Sequence, residues 1–339
     1  MPTARNGEHP LYPGVSAWLP GETLYSLACR ECRLSGEIRP AWLAGLSAPH
    51  DLPFALAGLG PNRLREIGGA DVAALQHTVL PYYLAVQRQR RRTRILELAR
   101  EGHYARLKVM LGLCATWLRA AHPLKACLEC IREDESLHGV AYWHVAHQHP
   151  GIWLCLRHAR PLLLAREKWT GAHRLLFLLP RAATLEASAA HALDTRSRQA
   201  LRQLAEFTLD LVECAKAQSL SAEQARLACT SALQEQGLRH ANGQVRQAQL
   251  AAALRPMTDA LRSMGKEFAE LGEDLSNDVN GLLQLTASHH SNGPPLKYLV
   301  LAAALFPSWG HFVRQACEGR AGPLTNARSV RRATTNWHS

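Results

Sequence analysis

The 339-residue chain sets 39 Lys and Arg against 28 Asp and Glu, a net charge of +11, with 47% hydrophobic and 20% charged residues. This usage excludes wholesale disorder, and a chain of this length buries a proper core without staples, in about two domains. The basic balance points to a polyanionic partner, nucleic acid or an anionic membrane surface. Nucleic acid fits better, because the longest apolar stretches, such as 175–179 and 299–306, are far short of the ~20 residues that a span needs. The opening MPTARNGEHPLYPG has no apolar signal-peptide core, so a cytoplasmic setting with no membrane partner is expected. In that reducing compartment the nine cysteines suit metal or core roles rather than disulfides.

Residues 1–20 hold four prolines and no periodicity, and read as an extended arm. From Glu22, ETLYSLACRECRLSG places Leu24, Leu27, Ala28 and Leu34 on one helical face, and Gly36 closes that helix. A short helix is predicted over 40–46. The stretch 48–69, broken by Pro49, Pro53, Gly58, Gly60, Pro61, Gly68 and Gly69, reads as short helices joined by turns. Residues 72–77 are helical up to Pro81. A charge run follows, with eight basic residues and two acids between Arg88 and Lys108. Over 122–164 Cys, His and Trp replace the Leu/Ala/Arg texture. From Trp169 to Phe306 the chain is Ala/Leu-rich and helical, punctuated at Gly237, Gly243, Pro256, Gly265, Gly281 and a polar loop over 288–295. The end, with four arginines and no acids from Arg320, reads as a disordered basic tail.

The expected fold class is therefore mostly α. An extended arm over 1–20 precedes an N-terminal helical, helix-turn-helix-like domain over 21–121. A zinc-finger region over 122–168, a helical C-terminal domain over 169–318 with its own helix-turn-helix-like part, and a basic tail over 319–339 complete the chain.

The sharpest local signal is Cys127-Leu-Glu-Cys130 followed, after 24 residues, by Cys155-Leu-Arg-His158. Two residues between ligands let one tight turn aim both at one ion, and two such knuckles supply a tetrahedral Zn²⁺ site. Four protein ligands close the shell, so one structural zinc per chain is expected. His144, His147 and His149 lie between the knuckles, and one of them could replace His158. Cys29-Arg-Glu-Cys32 repeats the CxxC form, but inside an amphipathic helix with no second pair at a suitable distance, and reads as core. Cys114, Cys214, Cys229 and Cys317 read the same way.

No phosphate-loop, dinucleotide, HExxH or GxSxG motif occurs, and Glu133, Asp134 and Glu135 read as a solvated acidic turn, so nothing asks for an enzyme. Arg88, Arg90, Arg91, Arg92 and Arg94 fall within seven residues and on a helix would wrap most of its circumference. That suits phosphate contact rather than base reading, a solvated helix surface being the other account. A helix over 222–234, a Gly-containing turn and a second helix opening with Gln244, Arg246 and Gln247 form a helix-turn-helix-like pattern. Gln and Arg can make bidentate contacts to base edges; an ordinary helical hairpin explains the same pattern.

At these residues the chain resembles the TniQ/TnsD family, the target-selection proteins of Tn-seven-like and related transposons. The likeness begins at LPGETLYSLACRECRLSG and continues through DLPFALAGL and HTVLPYY. It is strongest in CLECIREDESLHGVAYWHVAHQHPGIWLCLRHARPL, residues 127–162. Further on, GLRHANGQVRQAQL and PLKYLVLAAALF resemble the C-terminal helix-turn-helix part of TnsD-like members. Ala126 stands where the family usually has an aromatic, and the chain is shorter than long TnsD-type members. The resemblance implies an adaptor without catalysis of its own. Such proteins mark the insertion site and recruit a TnsC-like AAA+ ATPase, which licenses the transposase. Some members read target DNA directly; others dock, often as a homodimer, on a CRISPR Cascade-type RNA-guided complex. It further implies Cys127, Cys130, Cys155 and His158 as zinc ligands, with Tyr142, Trp143 and His147 packed around them. A zinc and helix-turn-helix transcription regulator is the alternative.

Overall fold

A computed structural model describes residues 17–36, 65–85, 87–101, 103–113, 118, 124–165, 178–181, 184–217, 220–271 and 294–318. Most of the expected arm, the helix over 40–46, the DLPFALAGL segment, Cys114, most of the polar loop and the basic tail lie outside the described residues. Helix α1 (Leu24–Ser35) starts where the Thr23 hydroxyl accepts from the Ser26 amide, and ends at Gly36, whose φ of 71° closes the helix in the left-handed region. Leu24, Leu27 and Ala28 are buried as their spacing predicts. Leu34 is not: it is 56% exposed, because the last turn of α1 leaves the core, Arg33 being exposed beside it.

Four helices follow: α2 (Ala70–Gln76), α3 (Leu80–Leu84), α4 (Gln89–Arg100) and α5 (Tyr104–Met110). Every residue of α3 is buried. The next stretch holds short strands. β1 (Lys125–Ala126) leads into α6 (Leu128–His138) and α7 (Val145–Gln148), then β2 (Leu154–Cys155), β3 (Arg160–Pro161) and β4 (Leu163–Ala165). β4 pairs antiparallel with both β1 and β5 (Leu185–Ala187), while β2 and β3 form a hairpin of their own. β5 and the 3₁₀ turn Ala189–Ala192 fall where the Ala/Leu texture predicts helix. Pairing with β4 overrides that propensity, and the long helix begins only at Thr195.

That long helix, α8 (Thr195–Ala217), precedes α9 (Ala222–Glu235), α10 (Gln247–Arg262), the 3₁₀ turn Lys266–Leu271, α11 (Pro295–Leu305) and α12 (Trp309–Glu318). α9 opens with a capping box in which Ser221 and Gln224 exchange hydrogen bonds. α10 continues through Pro256, where punctuation is expected from the sequence. Burial of Leu250, Leu254, Met257 and Leu261 on either side outweighs the lost backbone bond. α11 is buried along most of its length, and α9 and α10 both pack on it. Among the described residues no single helix is long and apolar enough to cross a membrane.

α8 is the common wall. One apolar cluster runs from Leu24 and Leu27 of α1 through α3 and α4 to Leu201, Leu204 and Phe207 of α8, and on to Leu254 and Leu299. A separate cluster joins Cys127, Cys130, Ile152, Cys155 and Leu162 to Ala205 of the same helix. The loop before β2 meets α8 at Gly151, where an added Cβ would lie 2.7 Å from Thr208 Oγ1 and 3.4 Å from side-chain carbons of Leu204 and Leu296. Thr208 cannot swing away without cost, since it is buried and its hydroxyl donates to the Leu204 carbonyl at 2.7 Å. Gly151→Ala should therefore destabilise the chain by roughly 1–3 kcal/mol in denaturant unfolding, as overpacked core positions do. Adding Thr208→Ala should recover part of that loss; no recovery would mean that the strain lies elsewhere.

Candidate metal centre

Both knuckles are built by local rules. Cys127 is the N-cap of α6 and Cys130 sits in its first turn, so one helical turn brings the two sulfurs to the same side. Cys155 ends β2 and His158 lies in the turn to β3, which Ala159 closes at a φ of 51°. The four ligand atoms lie within 4.8 Å of one another, and the group could hold a metal ion. His158 Nδ1 stands 3.6 Å from the Cys127 sulfur, 3.3 Å from that of Cys130 and 3.6 Å from that of Cys155; the Cys130 and Cys155 sulfurs are 3.7 Å apart. All three cysteines are buried.

The electrostatics suit a cation. Hydrogen bonds from Cys130 and Cys155, with the amides of the first helical turn, hold the Cys127 thiol well below its ordinary range. The same crowding pushes Cys130 up. Three sulfurs this close cannot all ionise unless positive charge sits among them, and a bound cation removes that conflict. Burial draws the His158 imidazole down, but its hydrogen bonds to Glu133 and Cys127 outweigh that and the net shift is upward.

The other histidines have different work. His144 Nε2 donates to Asp134 at 2.8 Å, and the ring stacks on Tyr142. His147 and His149 are buried with Nδ1 unpartnered, outside the Cys3His group. Lys125 is buried too: its ammonium donates to the carbonyls of His149 at 2.7 Å and Ile152 at 2.6 Å and lies 4.6 Å from the centre of the Trp153 ring. Burial pulls it down to about 7. Gln148 completes the clamp by exchanging hydrogen bonds with the Lys125 backbone. Cys29, Cys32 and Cys229 are buried as expected, but Cys214 is half-buried and Cys317 exposed.

The segment before α1 is sewn to this region. Glu22 is fully buried and takes both Nε and Nη2 of Arg30 at 2.8 and 2.7 Å. Burial raises its carboxyl despite that partner. Around it, Thr23 N donates to Trp143 O, Val145 N to Gly21 O, Trp143 N to Ser26 Oγ and Tyr142 Oη to Pro20 O. His77 Nδ1 donates to the Glu22 carbonyl at 2.7 Å, and Trp18 stacks on the His77 ring with centroids 3.5 Å apart. Stretches far apart in sequence thus meet: 18–30, 77–78 and 142–145, beside the knuckles.

Residues 14–162 match the TniQ family model, and the metal centre lies wholly inside that span. The chain carries a TniQ domain over those residues. No curated protein matches it. A TniQ domain marks a transposition-associated adaptor role. The match ends at Leu162, yet the TniQ domain packs its cysteines against Ala205 and its Gly151 loop against Thr208, so α8 adjoins it as wall.

The basic run inside the TniQ domain is divided. Arg92 is buried and donates to Ala215 O in the last turn of α8; half-buried Arg91 donates to Met110 O at the end of α5. Both act as helix C-caps, where a cation is favoured. Arg94 pairs with Glu97 at 2.9 Å, while Arg88, the N-cap of α4, and Arg90 are exposed. In the other candidate module the two helices are not joined by a tight turn. Arg239 and Val245 form an antiparallel bridge, Arg246 N donates to Leu238 O, and Arg239 Nε donates to Gly243 O, so a small hairpin stands between α9 and α10. Gln244 therefore lies in the hairpin, Arg246 caps α10 and Gln247 is its first residue; all three are exposed. That pairing, between residues separated by a short polar stretch, carries no helix-period signal.

Sequence reading missed Glu133, Asp134, Lys125 and the Glu22–Arg30 pair; Glu133 alone gives a signal, standing three residues after Cys130 on the same helix. Burial, with the nearby Lys125 adding to it at both, pulls His147 and His149 down from 6.5 to about 3. The unfolded chain binds these protons more readily, so the stability is complete above pH about 6.5 and is lost as pH falls towards about 3. His149→Leu should lose less stability across that window than the native chain in urea titrations at stepped pH. Parallel losses would show that His149 does not titrate with unfolding.

Proposed function

We propose that the chain is a non-catalytic target-selection adaptor for DNA transposition. In this reading it holds one structural zinc and links a target complex to a TnsC-like AAA+ ATPase and so to the transposase. One observation carries the reading: motif residues from separate stretches of 14–162 bond to one another at Glu22, His77 and Trp143, in the same domain that brings a Cys3His group together. Zinc suits the donor set. A tetrahedral ion with bonds of about 2.3 Å to sulfur and about 2.0–2.1 Å to nitrogen has edges of about 3.8 and 3.6 Å. The sulfurs of Cys130 and Cys155 are 3.7 Å apart, and His158 Nδ1 lies 3.3–3.6 Å from the three sulfurs. Four protein ligands fill such a shell and leave no position for an activated water, so the ion serves the fold rather than chemistry.

Of the two docking modes, the RNA-guided one is preferred: the chain sits, as a homodimer, on a Cascade-type complex that reads the target. The second mode, direct reading, has one observation in its favour, the exposed hairpin and α10 start that carry Gln244, Arg246 and Gln247. A direct reader leaves a footprint on naked duplex that survives moderate salt, as would the transcription-regulator alternative, which has no ATPase partner. The docked adaptor binds duplex weakly and with a steep salt dependence, and associates with the ATPase. Since Arg91 and Arg92 cap helices, the residues to change are Arg88 and Arg90. Replacing both by Ala should weaken binding evenly across sequences and make the log–log salt slope shallower by up to about 2. A salt-resistant footprint at one sequence, sensitive to Arg246→Ala, would move the reading to direct recognition.

A further inference from the structure

We infer that Glu133 is a positioning residue for the metal centre, holding His158 in the one tautomer that can complete the Cys3His group. The inference rests on the reading above that this group holds zinc, and goes beyond it to a residue outside the ligand set. Glu133 Oε1 lies 3.0 Å from His158 Nε2, and its other oxygen pairs with Arg157 Nη2 at 2.9 Å. A neutral imidazole carries one N–H. A carboxylate at Nε2 keeps that proton there, which leaves the Nδ1 lone pair facing the three sulfurs at 3.3–3.6 Å. Among the described residues, the polar contact on the Nε2 side is the one to Glu133.

The geometry follows from the helix. Cys130 and Glu133 stand three residues apart on α6, so a ligand and the holder of another ligand lie on one face. Arg157 and His158 are consecutive in the second knuckle and both grip the same carboxylate, which docks that knuckle on α6. The neighbouring residue repeats the pattern on the other side. Asp134 is buried and accepts from His144 Nε2 at 2.8 Å, and His144 is bridged through its backbone to Glu22. Two adjacent acids that read as a solvated turn in the sequence therefore orient two histidines, and only the first of these faces the sulfurs.

The test measures metal affinity by competition between the full chain and a chromophoric chelator, with Zn²⁺ and with Co²⁺ as probes. Long-range ¹H–¹⁵N correlation spectra of the His158 ring report its tautomer. Glu133→Ala should lower affinity 10–100-fold, the usual cost of losing such a partner, and the Nε2–H pattern of His158 should be replaced by a mixture. Glu133→Gln, whose amide oxygen still accepts from Nε2, should rescue the tautomer. Glu135→Ala, exposed on the same helix, should change neither. In a His158→Cys background there is no imidazole to orient, so Glu133→Ala should cost no affinity there. Glu133→Ala with native affinity and tautomer overturns the inference, as does an equal loss, or a failure to fold, in both backgrounds. A Glu133→Ala chain that folds only in the His158→Cys background supports it. A native chain that takes up no metal defeats the zinc reading itself, a result distinct from any of these.

Discussion

Three sulfurs and one imidazole nitrogen within 4.8 Å of each other constrain everything around them. The two knuckles are separated by 24 residues that have little apolar periodicity, and the strands that flank them are two or three residues long. Elements so short do not hold by themselves. Their ends coincide with the Cys3His group: α6 starts at its N-cap Cys127, and the β2–β3 hairpin turns at His158, whose Nδ1 faces the sulfurs. A cation bound among these sulfurs would let them ionise together, and its binding energy would then be folding energy.

Around the centre a shell of buried polar groups ties it to the rest of the chain. The Glu22 carboxylate is buried at a cost that burial itself reveals by raising its proton affinity, and Arg30 offsets this with a bidentate pair. Buried ion pairs add little net stability, but they punish wrong arrangements severely. Here the pair fixes where the segment before α1 lies, and that segment then supplies partners to Trp143, Val145 and His77. On the opposite flank Lys125 grips two carbonyls of the loop that carries Gly151, and Gly151 admits α8. The residues that carry the family likeness are thus the two ends of individual hydrogen bonds.

The sequence made the helical class, the boundaries of α1 and α9 and the membership of the Cys3His group legible, because each depends on spacing within a few residues. The ends of α1 follow from Thr23 and Gly36, and the start of α9 from Ser221 and Gln224. Illegible were the facts set by distant partners. The partner of Arg92 is the Ala215 carbonyl, 123 residues away, so nothing local separates it from Arg90. β5 reads as helix because its pairing with β4 is a tertiary matter. Leu34 fits the apolar face of α1 but lies past the point where that face meets anything. Gln244 reads as a helix start because the bridge between Arg239 and Val245 leaves no periodic trace.

The central claim is that the metal centre, the segment before α1 and the middle of α8 form one cooperative unit. Native-state hydrogen exchange on the metal-loaded chain and on the same chain after chelation tests it most directly. The account predicts that the amides of Thr23, Leu24 and Val145, and those of α8 around Ala205 and Thr208, lose protection together with the first turns of α6. Loss confined to the β2–β3 hairpin, with the Glu22 segment and α8 still protected, would contradict it.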